Sequence, residues 1–227
     1  MATKKALVSP QELLKKQLAG YQDAIQPAGG IRIKIDKAGI ETPDGKMGKS
    51  ISVIVVSYEI VHSYYSKPYD AANITPPDCM AHGIVYNDLT PIENAPARQA
   101  DACSICPMNE WKSASTGKGK ACRNSRLLAV LPADPDLIAD HPMWTISVPP
   151  TSIRRFDDYV VELAEDHSLT ALFAITNITQ LKNTDWAAPV FKFNGALDDA
   201  MQGAVIARLA EARSMLEREP DYDQDDE

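Results

Sequence analysis

Beyond Pro27-Ala-Gly-Gly30 the chain alternates, with Ile31, Ile33 and Ile35 interleaved with Arg32, Lys34 and Asp36. That is the period of a half-buried strand. Pro43-Asp-Gly45 predicts a turn, and the β-branched run from Ile51 to Val61 predicts a strand continuing towards Tyr64 and Tyr65. Further strands are expected over 126–131, 144–148, 171–179 and 190–193. Helical periodicity frames this β-rich centre. Near the start, Ser9, Pro10 and Glu12 form a capping signal, and Leu13, Leu14, Leu18, Tyr21 and Ile25 share one face. Ser152 can cap a helix over 153–166 that buries Ile153, Phe156, Val160, Leu163 and Ala164. A long helix is expected over 197–219, stopped by Pro220, with an apolar face that packs on the domain or on a second copy in a homo-oligomer.

Between residues 66 and 126 periodicity fails. The segment is rich in Pro, Gly, Asn and Ser and contains all four cysteines. So long an aperiodic run inside a compact domain needs something to fix it. The cysteines suggest what. Cys103 and Cys106 are separated by two residues, Cys122 follows after fifteen more, and Cys79 precedes the pair by twenty-three. A Cys-x2-Cys pair sets two thiolates on one tight turn, within reach of a tetrahedral ion. One structural zinc held by Cys79, Cys103, Cys106 and Cys122 is the expected cofactor, with His82 as a substitute for Cys79. Unrelated buried thiols, a redox pair and an iron–sulfur cluster are the alternatives; a thioredoxin-like pair would need a βαβ context that is absent.

Composition excludes some functions. Charged residues at 24% and apolar ones at 44% are those of a globular chain, and the length of 227 residues suits one domain with a large insertion. No apolar run approaches the ~20 residues that span a bilayer, and no secretory signal is visible, so a soluble cytoplasmic protein without membrane partners is expected. The net charge of -8 is unevenly spread. From Arg98 to Arg126 six basic residues face two acidic ones, whereas from Glu217 to Glu227 seven acids face one arginine.

The run Cys103-Ser-Ile-Cys-Pro-Met-Asn-Glu-Trp-Lys-Ser113, then Gly117-Lys-Gly-Lys-Ala-Cys122 and Arg126-Leu-Leu-Ala-Val-Leu131, resembles the single-stranded-DNA-binding proteins of tailed bacteriophages. Val148-Pro-Pro-Thr-Ser152 and the pair Phe156 and Tyr159 fit the same resemblance, which covers roughly residues 75–180. One departure is Lys112, where the pattern has a glycine. The resemblance implies an oligonucleotide-binding (OB-like) barrel. The expected architecture is therefore β-rich α+β: a helix within 1–28, an OB-like nucleic-acid-binding domain over 29–195 with a zinc insertion at about 66–126, a helix over 196–219, and a disordered acidic tail at 220–227.

Single-strand binders combine cations that track phosphates with flat side chains that stack on bases. Trp111, Lys112, Lys118, Lys120, Arg123 and Arg126 supply both around the cysteines, and Tyr64 and Tyr65 form a second aromatic group at a strand end. The expected function is sequence-tolerant binding of single-stranded DNA in phage replication or recombination, in the cytoplasm of an infected cell. The acidic tail would occupy the basic surface or dock replication and recombination proteins. A zinc-braced interaction module, or a virion-associated structural one, is the rival reading. Catalysis is not expected: the four histidines are scattered, and Asp134 and Asp136 read as a turn rather than metal ligands.

Overall fold

The computed structural model describes residues 31–68, 70, 72–182, 184–220 and 222. The helix expected within residues 1–28 and nearly all of the acidic tail lie outside them. The alternation after Ile31 yields a small antiparallel sheet of β1 (Lys34–Asp36), β2 (Gly39–Glu41) and β3 (Met47–Gly48), closed by the expected turn through Thr42 and Lys46. The main sheet contains β4 (Ser50–Tyr64), β5 (Cys79–Gly83), β6 (Arg123–Pro132), β7 (Trp144–Val148), β8 (Ala174–Gln180) and β9 (Pro189–Ala196), all antiparallel. Its order is β7-β6-β4-β8-β9. Strand β4 is 15 residues long and serves three neighbours. One edge pairs with β6 over most of its length; the other pairs with β8 through residues 50–54 and with β5 through residues 60–64.

Both faces of this sheet are apolar, so both need covering. On one face Val53, Val55, Leu128, Val130, Ile146 and Ile178 pack against helix α1 (Ile153–His167) and against Ile40 of the small sheet. On the other, Ile54, Val56, Ala129 and Leu131 pack against α2 (Asp199–Ala207) and α3 (Leu209–Leu216). The result is an α+β fold in which a central sheet lies between helical layers. The end strands β7 and β9 do not pair, so no barrel closes among the described residues. The closed OB-like barrel implied by the resemblance is thus corrected to an open sheet: with helices on both faces, its apolar positions are already covered.

Two helical details differ from the periodicity. Helix α1 buries Phe156, Tyr159 and Leu163, with Val160 only half-buried and Ala164 exposed. The Tyr159 hydroxyl reaches Thr176 Oγ1 on β8 at 2.7 Å, which satisfies two buried polar groups inside the core. The single helix expected over 196–219 is broken at Arg208. Its guanidinium donates to the carbonyl oxygens of Ile138 at 2.7 Å, Ala139 at 2.9 Å and His141 at 3.1 Å, and pairs with Glu211. Asp198 caps α2 by accepting from the Met201 N–H at 2.8 Å. Asp134 and Asp136 form the expected turn, the Asp136 N–H donating to Asp134 at 3.1 Å.

Candidate functional site

The aperiodic segment is organised by the lower half of β4. A bulge between Val55 and Ser57 shifts the alternation by one residue. Beyond it Tyr58, Ile60, His62 and Tyr64 share one face. Tyr58 meets Phe156 edge-on, Ile60 packs with Ala81, Leu89 and Cys103, and His62 and Tyr64 line a closed cavity with all four cysteines. The cavity is about 10 Å³, room for one water-sized sphere.

Cys79 enters this cavity from β5, opposite Tyr64 of β4. Cys103 begins the short turn Cys103–Ile105, Cys106 follows it, and Cys122 immediately precedes β6. All four are buried and none is in a disulfide. Burial, then the nearby Cys79 and Cys106, pushes the Cys103 thiol up to about 11. Burial, then the three other cysteines, pushes Cys122 up to about 12, with Lys120 opposing. Among the described residues, no three His, Cys, Asp or Glu side chains already form a group that would hold a metal. The four cysteines nevertheless line one common cavity. The donor set and the size of the space fit a soft divalent ion, which would reverse the electrostatics by favouring thiolates.

The surrounding loop is knitted by Asn109. Its amide donates to the Cys103 carbonyl at 2.9 Å, and its oxygen accepts from Lys120 Nζ at 3.0 Å and Asn124 Nδ2 at 3.1 Å. The Cys103 N–H bonds Leu89 O and the Cys122 N–H bonds Met108 O, so both ends of the loop are tied down. Lys112 has φ +77°, a left-handed conformation that favours glycine. Its N–H closes the loop onto Gly119 O at 2.7 Å.

His82 is not available as a fourth ligand. It lies on the opposite face of β5 from Cys79, with Nδ1 3.2 Å from a buried Glu59 carboxylate. That hydrogen bond holds the His82 pKa above its ordinary value against the opposing effect of burial, aided by the charges of Glu59, Glu219 and Glu217. His62 behaves oppositely: burial, then Lys120 and Arg126, pushes it down to about 4.

A second feature lies on the face of β4 and β6 away from the cysteines. Arg32, Ser63, Tyr65, Arg123, Ser125 and Ser147 line a groove of about 190 Å³. Arg32, Tyr65 and Arg123 are shared with a larger one of about 670 Å³, which adds Lys67, Asp70, Asp78 and Tyr222. Burial lowers the Arg32 pKa, and the like charge of Arg123 lowers it further. Neither guanidinium forms an ion pair among the described residues. The two carboxylates on the rim are engaged by backbone, Asp78 accepting from the Ser66 N–H at 2.6 Å and Asp70 from the Ala72 N–H at 2.9 Å.

The eight residues expected to contact nucleic acid therefore divide. Arg123 and Tyr65 line the groove. Trp111, 71% exposed, and the exposed Lys112 and Lys118 stand on the cysteine loop, and neither groove cavity includes them. Lys120 is tied to Asn109, Arg126 is paired with Asp157 at 3.1 Å, and Tyr64 faces the cysteine cavity. Sequence reasoning missed Arg32, His62, Glu59 and Asn109. For Arg32 the only signal was its polar place in the alternating strand; for the others there was none, because each acquires its role through a partner distant in the chain. No helix among the described residues is long and apolar enough to cross a membrane. No protein-family model, curated protein or solved structure matches this chain.

Proposed function

We propose that this chain binds single-stranded DNA without strong sequence preference, along the groove lined by Arg32, Arg123, Tyr65 and Lys67. The observation that carries this reading is the pair of arginines. They come from positions far apart in the sequence into one groove beside an exposed tyrosine. Among the described residues neither is in an ion pair, the groove's Asp70 and Asp78 being engaged by backbone N–H groups. Two guanidiniums held close together repel each other, which a bound phosphate relieves, and Tyr65 offers a face on which a base can stack. Trp111, Lys112 and Lys118 would extend the path over the cysteine loop. One structural zinc in the four-cysteine cavity would brace that loop, since Cys122 immediately precedes Arg123.

Tyr222, from the acidic C-terminal segment, lines the same groove, where burial pushes its hydroxyl up to about 12. That placement supports a tail that competes with the strand and is released, when DNA binds, to dock replication or recombination proteins. The setting implied by the phage resemblance is the cytoplasm of an infected cell. The rival reading, a zinc-braced protein-interaction or virion-associated structural module, draws on a different observation. Ile84, Val85 and Tyr86 are 69%, 54% and 41% exposed, and Ile105 on an adjoining turn is 70% exposed.

Fluorescence anisotropy of a labelled oligo-dT, with zinc assayed on the same sample, tests the proposal. Sub-micromolar binding that weakens steeply with salt, with one zinc per chain, is the expected result. Absence of binding at low salt would leave the interaction module as the better reading.

A further inference from the structure

His62 stands in the sheet wall of the cysteine cavity and is 1% exposed. Neither of its ring nitrogens has a hydrogen-bond partner among the described residues. Buried ring nitrogens are ordinarily paired, and a neutral imidazole carries one N–H and one acceptor nitrogen. The surroundings restrict what could receive that N–H. Tyr86 approaches with its ring nearly perpendicular, centroids 5.5 Å apart. The Asn109 oxygen already accepts from Lys120 and Asn124. The neighbouring cations Lys120 and Arg126 can only donate. The side-chain acceptors left around the ring are chiefly the sulfurs of Cys79, Cys103, Cys106 and Cys122, which line the same cavity, and Asn124 Oδ1. Asn124 pairs with His62 across β4 and β6, and its oxygen also lacks a partner among the described residues. Of these acceptors only a metal-bound thiolate would carry a charge. A neutral thiol accepts weakly, whereas a metal-bound thiolate carries the charge that attracts an N–H.

We infer that His62 is a positioning residue of a four-cysteine zinc site, its ring N–H donating to one zinc-bound thiolate. This rests on the zinc reading proposed above. Four thiolates around a divalent ion leave two net negative charges inside a closed cavity, and such charge requires donors. Lys120 supplies a cation close to Cys122, and His62 adds a donor without adding a charge. The ligand set stays four sulfurs, and the imidazole fixes where one of them sits. The bulge between Val55 and Ser57 makes this possible, because it turns His62 to the face on which Cys79 lies.

The test compares the full chain with His62→Phe, which keeps a ring and removes the donor, and His62→Gln, which restores an N–H. Zinc transfer to a chromophoric chelator and the absorption spectrum of the cobalt-substituted protein are both recorded. For His62→Phe we expect zinc affinity about 10- to 100-fold weaker, with a four-sulfur cobalt spectrum unchanged, and substantial recovery in His62→Gln. Affinity within twofold of the parent would overturn the role of His62 while leaving the zinc site standing. A cobalt spectrum in the parent with nitrogen among its ligands, lost in His62→Phe, would also overturn it by making His62 a ligand. A parent chain that takes up neither zinc nor cobalt would overturn the zinc reading and this inference together. Should His62→Phe fail to fold, the cadmium-113 form of the parent decides: a coupling between the metal and the His62 ring N–H proton supports the bond, and its absence refutes it.

Discussion

The groove makes a quantitative claim about salt. Three cations, Arg32, Arg123 and Lys67, line it. Each phosphate neutralised on a single strand contributes about -0.7 to the slope of log affinity against log salt, so the groove alone predicts a slope of about -2. Raising salt from about 50 to about 200 mM would then weaken binding roughly 20-fold. Replacing both Arg32 and Arg123 by Ala removes two contacts; the slope should fall to about -0.7 and the same salt change should cost only about threefold. Replacing Lys112 and Lys118 instead tests the cysteine loop. If the strand extends over it, the parent slope is nearer -3.5, and this second pair lowers it to about -2. Anisotropy titrations of oligo-dT at five or six salt concentrations measure all three proteins. Parent and Arg-pair slopes that coincide within error would refute the groove as the strand path, whatever the absolute affinities. Circular dichroism guards against a trivial loss through unfolding, and neither arginine makes a hydrogen bond among the described residues whose loss would unfold the sheet.

Truncation before Pro220 removes Tyr222 and five carboxylates, and should tighten oligo-dT binding several-fold at low salt, an effect that fades as salt screens the tail. Equal affinity of the truncated and full chains would refute competition. Tyr159→Phe leaves the fully buried Thr176 hydroxyl without its partner and should destabilise the fold by about 1–2 kcal/mol in urea denaturation. Adding Thr176→Val should recover part of that loss; strictly additive losses would contradict the bond. The raised pKa of His82 implies that its pairing with Glu59 stabilises fully below the unfolded value near 6.5 and is lost as pH rises through the higher folded value. Glu59→Gln should therefore flatten the stability profile above pH 6.5, which thermal melts across that range would show. Chelation of zinc should raise amide exchange through the loop from Cys79 to Cys122 while β8, β9 and α1 keep their protection; uniform protection throughout would argue against a metal brace.

Periodicity was enough to locate most elements, because strand and helix signals are local. The β-branched run after Ser50 can only be a strand, and Phe156 and Leu163 share a helical face whatever surrounds them. The grouping of the thiols was also legible: a Cys-x2-Cys turn brings two together by itself, and β5 pairing with β4 brings Cys79 alongside. Three matters were decided by tertiary structure alone. Whether the sheet closes depends on what covers its faces, and here helices from after β7 and after β9 cover both, leaving it open. Which side His62 faces depends on a one-residue bulge, which no alternation pattern announces, and His82 points away from the cysteines because alternate residues of β5 face opposite sides. Last, the groove joins Arg32 to Arg123 through the bridge of Arg32 to Thr145 and the pairing of β7 with β6. Charge counting favoured the cluster from Lys112 to Arg126 because those residues are close in sequence. Folding assigned two of them, Lys120 and Arg126, to internal bonds and placed Arg123 beside Arg32, a residue distant in the sequence. Composition sets how many cations a segment carries; only the packed sheet determines which of them remain free to meet a phosphate.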